Sequence, residues 1–229
     1  MLGFGYSCRA RFTAADLSFL IQSLGEGKAS EEEALVALMA DEEERQRLLD
    51  HPRLLERVLE EACLLTLSAH FYFYVLVRHL FLRHGLTSPE LADYVAGVLV
   101  TFARTDRWRR TRLSHGVEKG RELYLLDWML RLQEARHERE QFFLQLQVGD
   151  LSLYLSGVCR DFLDQRRHRR GAPDLSYYRS IGAASYRLAD RHPLAAGTEG
   201  QGLLGDLADS FECASEALGE VTRRLFSDR

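Results

Sequence analysis

The residues best placed to do chemistry lie in an apolar stretch. At helical spacing, Cys63, Thr66, His70, Tyr74, Val77 and Phe81 fall on one stripe. Two side chains able to hold a metal or haem thus share a face. Seven residues, however, span about 10.5 Å along a helix axis, too far for both to hold one ion. The spacing therefore predicts a buried His70 satisfied by a carboxylate or a carbonyl. Tyr72 and Tyr74 need partners for their hydroxyls on the same grounds. Asp127 interrupts the apolar run 123–130. A buried carboxylate must be paired, with Arg78 or His79 as the expected partner. His70, Tyr74, His79 and Asp127 are the candidates for lining a ligand pocket in a helical core.

Other motifs dissolve on inspection. Glu134-x-x-His137 has the spacing of a di-iron bundle ligand pair, but no second copy exists and its neighbours are polar on every side. Asp161-x-x-Asp164 stands beside Arg166 and Arg167 and reads as helix-surface charge pairing. Gly27-Lys28 precedes a helix, but a P-loop needs Gly where Gln22 stands and Ser or Thr where Ala29 stands. No zinc signature, metal-ligand set or nucleophile elbow is present. No catalytic residue, metal or cofactor is therefore expected. The four cysteines, Cys8, Cys63, Cys159 and Cys213, form no closely spaced pair and read as reduced thiols.

Charge carries the remaining signal. Residues 26–61 hold 12 acids against 5 Lys and Arg. Two segments are strongly basic. One holds Arg104, Arg107, Arg109, Arg110 and Arg112 around Trp108; the other holds Arg160, Arg166, Arg167, Arg169 and Arg170 around His168. Arg104, Arg107, Trp108, Arg109, Arg110, Arg112, Arg166, Arg167, Arg169 and Arg170 are the candidates for gripping a partner or a phosphate, with the indole available to stack on a base. The chain as a whole is acidic, at net −4, unlike most nucleic-acid binders.

The elements that must position these groups are helical. The chain has 40 Leu against 21 β-branched residues and only 4 Pro. Leu loses little rotamer freedom in a helix, whereas β-branched side chains suit strands. Capping signals divide the chain. Thr13 starts a helix near 14–24, Ser30 one near 31–40, and Asp41 another to about 50. Pro52 opens a long helix over 53–84, and Ser88-Pro89 opens 89–104. A polar connector over 105–116 precedes a helix over 117–147, which breaks at Gly149-Asp150. Asp150 then caps 151–168, Asp174 caps 175–191, and a last helix covers 203–226. Gly97, Gly157 and Gly182 sit inside these helices, where close approach of a neighbouring helix is a physical reason to keep them. Tyr178, Gly182 and Tyr186 depart from the tetratricopeptide spacing and have no second copy, so no repeat array is expected.

The sequence thus predicts an all-α fold. It is read as one bundle-like domain over 1–229, with eight or nine helices around an apolar central helix at 53–84 and a peripheral acidic segment at about 13–50. The longest uncharged apolar stretch, 62–77, is shorter than the roughly 20 residues a membrane span needs, and the N-terminus lacks a signal-peptide core. A cytoplasmic location is expected. The functional expectation is a non-enzymatic interaction or regulatory module that binds another protein or itself. Two alternatives stand beside it: a bundle holding a small apolar ligand or cofactor in its core, and nucleic-acid or phosphate binding through the arginine clusters.

Overall fold

The computed structural model describes residues 7–25, 28–60, 67–113, 125–196 and 201–226, with the side chains of these except 104–113, 170 and 221–226. The fold is all-α: among the described residues there are twelve α-helices, one 3-10 turn and no strand. The count exceeds the expected eight or nine because several expected helices are broken in two. Among the described residues no helix is long and apolar enough to cross a membrane. The chain forms two compact units, one over Tyr6–Val100 and one over Thr101–Arg229, and the division falls inside a helix.

The first unit begins with a 3-10 turn, Arg9–Arg11, followed by α1 (Ala14–Leu24), α2 (Ala29–Leu38), α3 (Glu42–Leu49), α4 (Pro52–Glu60) and α5 (Ala69–Arg83). Helix α6 (Pro89–Leu113) starts here. The Thr13 cap is a full capping box: Asp16 N–H donates to Thr13 Oγ1, and Thr13 N–H donates to Asp16 Oδ2 at 2.8 Å. Asp41 caps α3, and the Ser88 hydroxyl accepts from Leu91 N–H at the start of α6. Each such cap contributes about 1 kcal/mol. Ser30, by contrast, lies inside α2, which Lys28 precedes without a side-chain cap. No residue of α2 is buried.

The expected continuous helix over 53–84 is not formed. It is replaced by α4 and α5, with 61–66 outside the described residues. The cause is a long-range capping arrangement. Ser68 is extended, its hydroxyl accepts from Phe71 N–H, and its own N–H donates to Asp16 Oδ1 at 2.8 Å. One fully buried carboxylate therefore fixes the start of α1 and the start of α5 together. Beyond its first turn α5 is mostly apolar, and Tyr74 through Phe81, including Arg78 and His79, are buried. Such a surface is stable only when other elements cover it; α4 and the 3-10 turn pack on it within this unit.

The second unit holds α7 (Leu125–Glu134), α8 (Glu138–Gly157), α9 (Arg160–Arg170), α10 (Leu175–Asp190), α11 (Leu203–Asp209) and α12 (Phe211–Phe226). Helix α6 continues to Leu113, through the expected polar connector. The expected break at Gly149-Asp150 is absent. Asp150 is buried and accepts a hydrogen bond from the Tyr186 hydroxyl at 2.8 Å, so its carboxylate is engaged across helices and caps nothing. The break comes earlier, at 135–137, where Gln141 Nε2 takes the Ala135 carbonyl, and again at Val158-Cys159. The last expected helix also divides, at Ser210.

Helix α8 is the hub of this unit and packs on α7, α10 and α12. Glycines set the approach. A Cβ on Gly182 of α10 would fall 2.2 Å from the Phe211 ring, and one on Gly149 of α8 would fall 2.6 Å from the Tyr186 ring. A core of Leu125, Val148, Leu151, Leu155, Leu163 and Tyr178 ties α7 and α9 to α8 and α10.

Candidate functional site

In the first unit the polar residues of α5 converge on the end of α3. Asp50 follows α3 directly and is half-buried. Arg78, only 4% exposed, donates Nε and Nη2 to its two oxygens, each at 2.7 Å, and Nη1 to the Thr87 carbonyl at 2.6 Å. Gln46 Nε2 donates to Asp50 Oδ1, while Gln46 Oε1 accepts from the Tyr74 hydroxyl at 2.8 Å. Burial pushes the Tyr74 phenol up to about 12, against the pull of Arg9 and of its Gln46 bond. The buried His79 ring has Nε2 3.1 Å from the Leu49 carbonyl, and burial lowers its pKa below the ordinary value. Since a carbonyl only accepts, that nitrogen carries the proton.

A cleft of about 390 Å³ opens beside this network, between the 3-10 turn and α3. The Asp41 cap sets the start of α3, so Glu42, Arg45, Gln46 and Leu49 stand on one helix face at i, i+3, i+4 and i+7. All four line the cleft. Opposite them is Arg9, whose backbone N–H donates to Asp93 Oδ1 at 2.8 Å. Burial raises the Asp93 carboxyl, while the Arg9 N–H and the Ser7 hydroxyl draw it back. The Arg9 guanidinium reaches Glu42 Oε1 and Gln46 Oε1, both at 3.3 Å, and Glu90 at 3.5 Å. Arg45 binds the other oxygen of Glu42. Phe12 and Leu17 supply apolar wall, and Phe12 packs edge-on against Phe71 and Tyr74.

The four core candidates do not share one environment. Tyr74 and His79 are buried in the first unit, 6% exposed or less. His70 is half-buried, not buried as expected, because Ser68 ends the preceding segment and leaves His70 in the first turn of α5. Asp127 is half-buried on α7 of the second unit. The expected pairing of Asp127 with Arg78 or His79 is corrected: the carboxylate on Arg78 is Asp50, and the partner of His79 is the Leu49 carbonyl. Cys63 lies outside the described residues. Among the described residues no cluster of three or more His, Cys, Asp or Glu is arranged to hold a metal, and Cys8, Cys159 and Cys213 form no disulfide.

Of the arginine candidates, Arg104, Arg107, Trp108, Arg109, Arg110 and Arg112 lie on the helical backbone of α6, but their side chains lie outside those described, as does that of Arg170. On α9, Arg166 is half-buried over the Phe162 ring, 5.5 Å from its centroid. Arg167 and Arg169 are exposed and form no ion pair among the described residues. Arg167 acts only at longer range on Asp174, whose carboxyl is held low mainly by the Ser176 hydroxyl and the Tyr177 N–H. Three other arginines of this unit are engaged, whereas Arg131, Arg136, Arg139 and Arg191 are exposed and, like Arg167 and Arg169, form no ion pair among the described residues. Arg179 pairs with Glu212 and Glu216, Arg187 pairs with Asp209, and Arg160 donates to the Ser156 and Ser215 carbonyls. Comparison with family models, with curated proteins and with solved structures yields no match.

Sequence reasoning did not single out Arg9, Glu42, Arg45 or Gln46. The available signal was the i, i+3, i+4, i+7 spacing that follows the Asp41 cap.

Proposed function

We propose that the protein is a non-enzymatic helical interaction module that takes an acidic protein surface on α9. The observation that supports this reading is the state of Arg167 and Arg169: exposed, four and six residues past the buried Leu163, and outside any ion pair among the described residues, with Arg169 on the helix face of Phe162 at i, i+7. Cations left unpaired on a rigid helix steer an oppositely charged partner and fix its orientation. Phe162 and Tyr177, 43% and 41% exposed, add aromatic surface on α9 and α10, and aromatics and arginine are enriched at protein interfaces.

The test compares the full chain with R167E/R169E. Proteins recovered with each are quantified, and binding of the same proteins, once purified, is measured at two salt concentrations. Partners lost by the double variant and weakened by salt, with helicity unchanged, support the reading. Equal recovery by both forms refutes it. Binding of a single-stranded oligonucleotide in place of any protein would transfer the surface to the nucleic-acid alternative.

A further inference from the structure

Glu42 is held by two guanidinium groups from separate elements, Arg9 on the 3-10 turn and Arg45 on α3. Its own side chain is 66% exposed, so the cleft presents a carboxylate-binding fork filled by a carboxylate that solvent can readily draw away. Ion pairs of such exposure contribute little. With Glu42 drawn away, Arg9 and Arg45 face only Glu90 among the described residues, 3.5 Å from Arg9 and outside the lining, which disfavours a cation in the cleft and favours an anion. Beside the fork the wall is apolar, formed by Phe12, Leu17 and Leu49. Arg9 cannot easily turn away, because Asp93 holds its backbone and Gln46, fixed by Tyr74 and Asp50, stands under its guanidinium.

We propose that this cleft binds a small monocarboxylate carrying a short apolar chain, its carboxylate displacing Glu42 between Arg9 and Arg45 and its chain lying on Phe12, Leu17 and Leu49. Glu42 has no apolar tail to lay on that wall, whereas each methylene the ligand buries favours binding about fourfold. The volume is near the small end of ligand pockets, which run to roughly 300–1,000 Å³, and so suits a short chain. The site is independent of the α9 surface, which lies in the other unit.

The test uses hexanoate as probe on the full chain, read by chemical-shift titration, with hexanol and hexylammonium as controls. Hexanoate should bind at least tenfold more tightly than either control. E42Q, which weakens the built-in competitor, should bind hexanoate severalfold more tightly. R45Q should bind it about tenfold more weakly, with helicity intact. Hexanol binding as well as hexanoate would overturn the proposal, as would hexanoate affinity unchanged in both variants. Absence of hexanoate binding to both the wild type and E42Q at millimolar concentration would overturn it equally.

Discussion

Replacing Gly182 by Ala tests the packing of the second unit most directly. A Cβ at that position lies 2.2 Å and 2.5 Å from two Phe211 ring carbons and 2.8 Å from Ser152 Cβ. Carbon atoms rest at about 3.5–4.0 Å, so the ring must retreat by more than about 1 Å. Little space receives it: Phe211 is 2% exposed, Ser152 is fully buried, and the Tyr186 ring stands 5.9 Å away, centroid to centroid. Overpacking of this kind costs about 1–3 kcal/mol. The higher helix propensity of Ala returns about 1 kcal/mol. Obstruction from two helices places the cost toward the upper end, and the net loss should be about 1–2 kcal/mol. Urea denaturation followed by tryptophan fluorescence measures it, because both tryptophans, Trp108 and Trp128, belong to this unit. Shrinking the ring with F211L should make the two changes non-additive, the double variant losing less than the sum. A G182A protein more stable than wild type by the propensity gain alone would show that Phe211 does not press on α10.

Arg78→Met strands the Asp50 carboxylate against Gln46 alone and frees the Thr87 carbonyl. Breaking a buried pair costs about 3–5 kcal/mol, but the Asp50 side chain is 25% exposed, so the expected loss in thermal unfolding is about 2–3 kcal/mol after that discount. D50N in the same background should recover part of it, whereas a loss near that of a surface pair would remove Arg78 from the framework. His79 sets a pH dependence. Burial holds its folded pKa below the ordinary 6.5, Arg83 and Arg78 lower it further, and the Leu49 bond and Asp50 oppose them. The unfolded state therefore takes up the proton first as pH falls, and stability contributed by neutral His79 is complete above about 6.5 and declines below it. Replacing His79 with Gln should flatten that part of the stability–pH curve; an unaltered slope would assign the decline to other groups.

How far the sequence was legible depends on the range of the interaction. Thr13, Asp41, Ser88 and Asp174 each cap the helix their spacing announced, because a cap is settled within four residues. The break at Ser68 was not legible. Its deciding hydrogen bond is donated by the Ser68 N–H to Asp16, 52 residues away, and the apolar run through Ala62–Val77 holds no local sign of it. Gly149-Asp150 erred in the opposite direction. It has the composition of a break, but Tyr186, 36 residues on, engages the carboxylate and packs its ring where a Cβ would stand, which suits Gly149 to a continuous helix. In the sequence Arg78 reads only as a candidate partner for Asp127; that Asp50 pairs with it is not legible, because nothing local marks the end of α3 as lying beside α5.

The same limit governs the arginines. With 30 Lys and Arg against 34 acids, the chain has more than enough acid to neutralise every cation, and composition alone assigns no cationic surplus. Pairing is decided by geometry. Arg179 and Arg187 stand on α10, where Glu212, Glu216 and Asp209 of the following helices come within reach, so their charge is spent inside the unit. Arg167 and Arg169 stand on α9 close to its end at Gly171, whose left-handed backbone turns the chain away from the helix axis. The acids of α9 itself, Asp161 and Asp164, are three to eight residues back, and no ion pair joins them to these two arginines. Which cations stay unpaired is therefore decided by the fold. The proposed recognition of an acidic partner thus rests on α9 and the exposed aromatics beside its arginines, Phe162 and Tyr177, and not on the arginine content of the chain.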